Sequence, residues 1–182
     1  MKKVLSILSL ASICFLMSCS SKKEGGTSGR AKKNLEANEA IMKMFEAGDW
    51  SKAGDYIAKD GVDHAGENGD IKGLDSIMAN FNRMGSMMGN MKNEIVKALA
   101  DDDYVMCWIK GTATAKMDMP TMGMKAGQTQ TSNSVEVAKF NADSKVTEHW
   151  SFMDMGEMMK MMAGMGQKMN NMNDHMKDST GK

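Results

Sequence analysis

The sequence predicts an α+β domain, on three observations. Apolar residues recur at helical spacing over 32–47 and again over 74–87. Strand-like runs follow at 91–100, 104–115, 128–141 and 146–153. Helices first and an antiparallel meander after them is the α+β order. The length of 182 residues suits one domain with appendages, and an apolar fraction of 42% suffices for a core. Lys plus Arg and Asp plus Glu both number 23, so no basic surface for nucleic acid is expected.

The chain opens Met1-Lys2-Lys3, then runs apolar from Val4 to Met17. A basic start and a short apolar run have the form of a secretory leader. Leu16-Met17-Ser18-Cys19 is similar to a bacterial lipobox, in which the cysteine is acylated and becomes the first residue after cleavage. Residues 1–18 are therefore read as a lipoprotein signal peptide and Cys19 as the lipidation site. Residues 19–31, rich in Ser, Lys and Gly, form a flexible tether. The expected location is the bacterial cell envelope, lipid-anchored to a membrane and facing periplasm or exterior. Losing the two leader lysines leaves the remainder faintly acidic. Cys14 goes with the leader, so Cys107 is the one thiol left, and its strand-like surroundings predict burial.

Within the domain, assigned to 32–155, Leu35, Ile41, Met42 and Phe45 form one helical face broken by Asn38. Gly48 ends that helix. Asp49 is expected to cap a short second helix carrying Trp50, Ala53, Tyr56 and Ile57. Gly61 to His64 reads as a short extended piece, and Gly66 to Asp70 as a turn. The third helix, 74–87, carries Ile77, Met78, Phe81 and Met84 on one face. Asp101-Asp102-Asp103 turns the first long hairpin, and Asn141 to Lys145 turns the second. Pro120 falls in the link between strands, where a missing N–H does no harm. Asp154 and Glu157 fit a capping box opening a C-terminal segment, 156–182. There Met158, Met162, Met165, Met169, Met172 and Met176 follow a heptad rhythm, weakened by about 1 kcal/mol at each of Gly164 and Gly166.

Several short segments together resemble one fold family. Phe45-Glu46-Ala47-Gly48-Asp49-Trp50 is similar to its helix-ending segment, and Asp63-His64 to its short strand ending in histidine. Ile71 to Ile77 resembles the approach to its third helix, and Val105 to Gly111 its first long hairpin arm. Asp143-Ser144-Lys145-Val146-Thr147-Glu148-His149-Trp150 resembles its last turn and strand. The family is the SnoaL-like polyketide cyclase branch of the nuclear transport factor 2-like superfamily. The resemblance implies a cone-shaped fold, with N-terminal helices packed on a curved antiparallel sheet around a pocket.

In the family's cyclases a carboxylate stands two residues beyond the last-strand histidine, and here that position is Ser151. A serine hydroxyl has no useful basicity near neutral pH. The resemblance thus implies a pocket that binds a small, largely apolar molecule without established catalysis, lined by Tyr56, His64, Phe81, Trp108, His149 and Ser151. The alternative is a cyclase or isomerase using His149, whose imidazole titrates near neutrality. No cofactor is expected.

Methionine is the compositional oddity, at 24 residues. Met117, Met119, Met122 and Met124 crowd one loop, and thioethers select Cu(I) or Ag(I). Soft-metal capture is therefore a further alternative. Methionine is also an adaptable apolar filler, and a stripe at helical spacing packs against a sheet or a second copy, so a homodimer is an open expectation.

Overall fold

The computed structural model describes residues 28–66, 68–156 and 158–159. The leader, Cys19, Glu157 and the methionine stripe beyond Met158 lie outside the described residues.

Helix α1 (Gly29–Ala47) begins before residue 32 because Ser28 caps it, its hydroxyl accepting from the Ala31 amide at 3.0 Å. Gly48, at φ +66°, ends it in the left-handed conformation that glycine adopts without strain. The expected second helix shrinks to α2 (Ala53–Tyr56), and no side chain caps it. Asp49 instead accepts from the Ser51 amide at 3.0 Å, closing a tight local turn. Ile57 leaves the helix and opens strand β1 (Ile57–Asp63), which is longer than the extended piece expected there. After the two-residue strand β2 (Ile71–Lys72), α3 (Leu74–Met87) occupies the predicted span.

Strands β3 (Met88–Ala100), β4 (Tyr104–Ala115), β5 (Thr129–Phe140) and β6 (Val146–Met153) complete a sheet of order β2-β1-β6-β5-β4-β3 among the described residues. The neighbours pair antiparallel except β1 and β6, which run parallel. This is a departure from a pure meander. Register shifts at 89–92 and 95–97 bend β3, and bulges of this kind curl a sheet.

Alternation sorts β4 cleanly. Val105, Cys107 and Ile109 are buried, while Tyr104, Met106 and Trp108 are exposed. The buried set joins Ala37 of α1 with Ala138, Phe140 and Val146 in the main core, so the face under α1 is the inner face. A second cluster joins Ala53, Ile57 and Ile77 beneath Trp50 and Phe81. Those two rings stack at 4.7 Å, and Phe45 meets Phe81 edge-on at 5.7 Å.

One polar clamp fixes α1 on the sheet. Asn34 is fully buried, and its Nδ2 donates to the carbonyls of Asp101 and Asp102 at 3.3 and 3.0 Å. The Ser28 hydroxyl donates to the Asp102 carboxylate, and Arg30 pairs with Asp103 at 3.3 Å. Asp101 turns inward on its own loop, accepting from the amides of Asp103 and Tyr104 at 2.8 and 2.7 Å. The acidic hairpin tip thus serves as a docking point for the first turns of α1.

Candidate ligand site on the inner face

Three strands bring one polar group together inside. Asp63 of β1 faces His149 of β6, which faces Ala138 of β5. Next in register, Ser151 of β6 faces Glu136 of β5, which faces Cys107 of β4. Directly opposed residues share a face, so Asp63, His149, Ser151, Glu136 and Cys107 all lie on the inner side. His149 Nδ1 stands 3.0 Å from Asp63 Oδ1, and Nε2 stands 3.1 Å from Glu136 Oε2. Ser151 and Ser134 both donate to Glu136 Oε1, at 2.9 and 2.5 Å. Asp63 also accepts from the Ala65 amide at 3.0 Å.

Two carboxylate acceptors on one imidazole require both ring nitrogens to donate, so His149 is held as imidazolium. Burial opposes that charge, but the hydrogen bonds and charges of Asp63 and Glu136 overcome it, and the pKa is pushed up to about 9. For both carboxylates burial is the largest single influence and works against ionisation, but the hydrogen bonds they accept, that from His149 first, together with its charge outweigh it. Asp63 and Glu136 therefore sit below their ordinary values. The cluster is two anions sharing one cation. Cys107 lies beside it, pushed up to about 11 by burial and by the charges of Glu136 and Glu39. It is a neutral thiol that accepts from Asn38 Nδ2 at 3.4 Å. The asparagine that interrupts the apolar face of α1 therefore has a partner inside.

The residues expected to line the pocket divide. His149 and Ser151 belong to this cluster, and Tyr56 packs against the main core. His64 does not join them. It follows Asp63 in the chain and turns to the outer face, where it stacks on Trp150 at 4.8 Å. Its Nδ1 meets Asp70 at 2.9 Å and its Nε2 meets Glu148 at 3.4 Å. Trp108 is likewise corrected to the outer face, where it is 50% exposed. Phe81 is spent in the Trp50 cluster. Two residues absent from the expected pocket lining, Asp63 and Glu136, supply the negative charge of the site. Glu136 had a signal: alternation from Phe140 back through Ala138 puts it inward, opposite Ser151 across the 141–145 turn.

Of the loop methionines, Met119 and Met124 are buried with Ala115, Met87 and Met88 in a satellite core. Their backbones pair, with N–H to O distances of 2.9 and 3.1 Å. Met117 and Met122 remain exposed. Among the described residues, no group of three His, Cys, Asp or Glu side chains is placed to hold a metal ion. A surface depression of about 460 Å³ lies at the start of α3, bordered by Lys59, Lys72 and Lys145, and none of its lining residues belongs to the His149 cluster.

A family model described as SnoaL-like polyketide cyclase matches residues 35–162. No curated protein matches the sequence significantly. Among solved structures, the chain is similar to a protein of Xanthomonas campestris pv. campestris described as a polyketide cyclase. That pair shares 13% identity over 70% of this chain and 95% of the other, with a TM-score of 0.63. A protein of Jannaschia, described as a SnoaL-like polyketide cyclase, shares 15% identity over 75% and 95%, with a TM-score of 0.62. An LEH-like epoxide hydrolase of M. tuberculosis shares 15% identity over 72% of this chain and 90% of the other, with a TM-score of 0.58. These likenesses are of fold.

The His149 geometry fixes a pH dependence. Its folded pKa, about 9, lies above its ordinary 6.5. The stability it adds is therefore full below pH 6.5 and is lost as pH rises through 9. Asp63 and Glu136 act in the opposite sense, adding stability that is lost on acidification through their lowered values. We expect the His149 ring to titrate near pH 9 by NMR. Urea unfolding should show roughly 3 kcal/mol lost between pH 6.5 and pH 9. Glu136→Gln should lower the titration toward neutrality; a ring that titrates near 6.5 in the unaltered protein contradicts the pairing.

Proposed function

The chain belongs to the SnoaL-like polyketide cyclase family, and on that premise we propose that its inner face binds a small, largely apolar molecule without turning it over. One observation carries this reading: both nitrogens of His149 are committed to carboxylates. A general base needs a free lone pair, and this ring has none at neutral pH. Ser151 donates to Glu136, and Glu136 is itself a weakened base, holding three donors below its ordinary pKa. What remains is a rigid polar group beside the packed core of Val105, Ile109, Ala138 and Phe140, with the His149 and Glu136 side chains 29% and 23% exposed. A few placed polar groups of this kind orient a bound small molecule.

A second reading, a cyclase or isomerase, has one observation in its favour. Glu136 brings a carboxylate from the neighbouring strand to the side of Ser151, the position of the family's acid. In that reading Glu136 takes the proton, and His149 is a positioning residue rather than the base. Soft-metal capture by the methionine loop is weaker, because packing accounts for Met119 and Met124. The leader and Cys19 support placing the domain at an envelope membrane by acylation, with residues 19–27 as the link, since the tether expected over 19–31 gives way to the α1 cap at Ser28.

Native mass spectrometry of the protein isolated from its own host tests the binding reading. A retained organic molecule is expected, and it should be lost from Ser151→Leu or Glu136→Leu protein that still folds. An empty protein, or retention unchanged in both variants, overturns it. If the molecule is instead converted, Glu136→Gln should slow turnover by about a hundredfold or more and establish the second reading. For the anchor, Cys19→Ala should move the protein from the membrane to the soluble fraction. A Cys19→Ala protein that stays membrane-bound contradicts acylation there.

A further inference from the structure

The outer face of the sheet is apolar where a solvated face would be polar. Pairing sets Leu99 opposite Met106, Met106 opposite Val137, and Val137 opposite Trp150. The adjacent row sets Trp108 opposite Val135 and Val135 opposite Phe152. The first row crosses four strands and the second three, with Lys97 standing opposite Trp108 on β3, and together they make one continuous patch bordered by that lysine. Leu99 is 60% exposed, Phe152 57%, Trp108 50% and Met106 45%. Patches of this extent on a protein surface mark something that covers them.

The chain itself carries a candidate cover. Strand β6 runs through Phe152 at the margin of the patch and ends at Met153. Residues 155–156 and 158–159 are already helical, and Met155, Met158 and Met159 are exposed. Beyond them the sequence repeats methionine at 162, 165, 169, 172 and 176, in line with Met158. As a helix, the stretch 158–176 is about 27 Å long. The patch is about 14 Å wide from β6 to β3, at about 4.8 Å per strand. Methionine suits the task, since its flexible thioether fills the uneven surface left by Trp108, Val135 and Leu99. A segment joined to the sheet by a few residues also meets it at an effective concentration in the millimolar range, above any second copy at cellular levels.

We propose that the methionine stripe of residues 158–176 lies across the outer face of the sheet and covers the patch of Leu99, Met106, Trp108 and Phe152. The cover is intramolecular, so it does not depend on protein concentration. It also assigns the C-terminal methionines a role unrelated to the inner face.

Hydroxyl-radical footprinting tests this, reading Met106, Trp108 and Phe152 separately. The full chain is compared with a chain truncated after Met159, and with a full-length chain carrying Met162→Ser, Met165→Ser, Met169→Ser and Met172→Ser. The proposal predicts low labelling of the three residues in the full chain at every concentration, and several-fold higher labelling in both altered chains. Circular dichroism verifies that the altered chains keep the sheet. The four-serine chain keeps the tail's length, so it separates loss of the stripe from damage by truncation. Equal labelling in all three chains overturns the proposal. Labelling that falls with rising concentration, with or without the tail, overturns it in favour of a second copy as the cover.

Discussion

The interior is organised around one compensated charge. An imidazolium set among Val105, Ala138 and Phe140 is costly unless it is paired, and His149 is paired twice. Its partners arrive on separate strands, Asp63 from β1 and Glu136 from β5, so the ion cluster spans the three strands β1, β6 and β5. A slip of one residue in either pairing would turn a carboxylate to the outer face and strand the imidazolium. The cluster therefore specifies register as much as it adds stability. It also sets the chemistry, because a histidine used in this way has no lone pair left for proton abstraction.

The sheet has two faces with different tasks. The inner face carries the core beneath α1 and, within it, the charged cluster. The outer face carries the His64–Trp150 stack, in which Asp70 and then Glu148 raise the His64 pKa, beside a broad apolar patch. Methionine serves two separate places: the satellite core, where Met87 and Met88 pack on Met119 and Met124, and the C-terminal stripe, which the proposal sets on the outer face. An unusual composition thus divides into local packing solutions, each using the pliability of the thioether.

Much of this was legible in the sequence wherever the signal is local. The α3 span and the β6 span follow from periodicity and from the turns that bound them. Alternation in 104–109 separates Val105, Cys107 and Ile109 from Tyr104, Met106 and Trp108, but which set lies inside depends on where α1 packs. The parallel pairing of β1 with β6 has no local signature, because it joins residues far apart in the chain. That pairing is what turns Asp63 inward and His64 outward, so the inward histidine at position 64 was misplaced by a single residue. Glu136 was readable in principle from the register of the β5–β6 hairpin. Its role was not, because a lone glutamate in a Thr- and Ser-rich strand reads as a solvated side chain until His149 is placed beside it.

A double-mutant cycle between Asp63 and His149 probes the organising interaction most directly. Asp63→Asn, His149→Gln and the double variant are unfolded in urea at pH 7. The ion cluster predicts a coupling of about 1 kcal/mol or more, since Asp63→Asn leaves the imidazolium with one carboxylate and His149→Gln leaves the buried Asp63 carboxylate without its cation. Effects that add to within about 0.5 kcal/mol would show that the two side chains act independently, and would contradict the account.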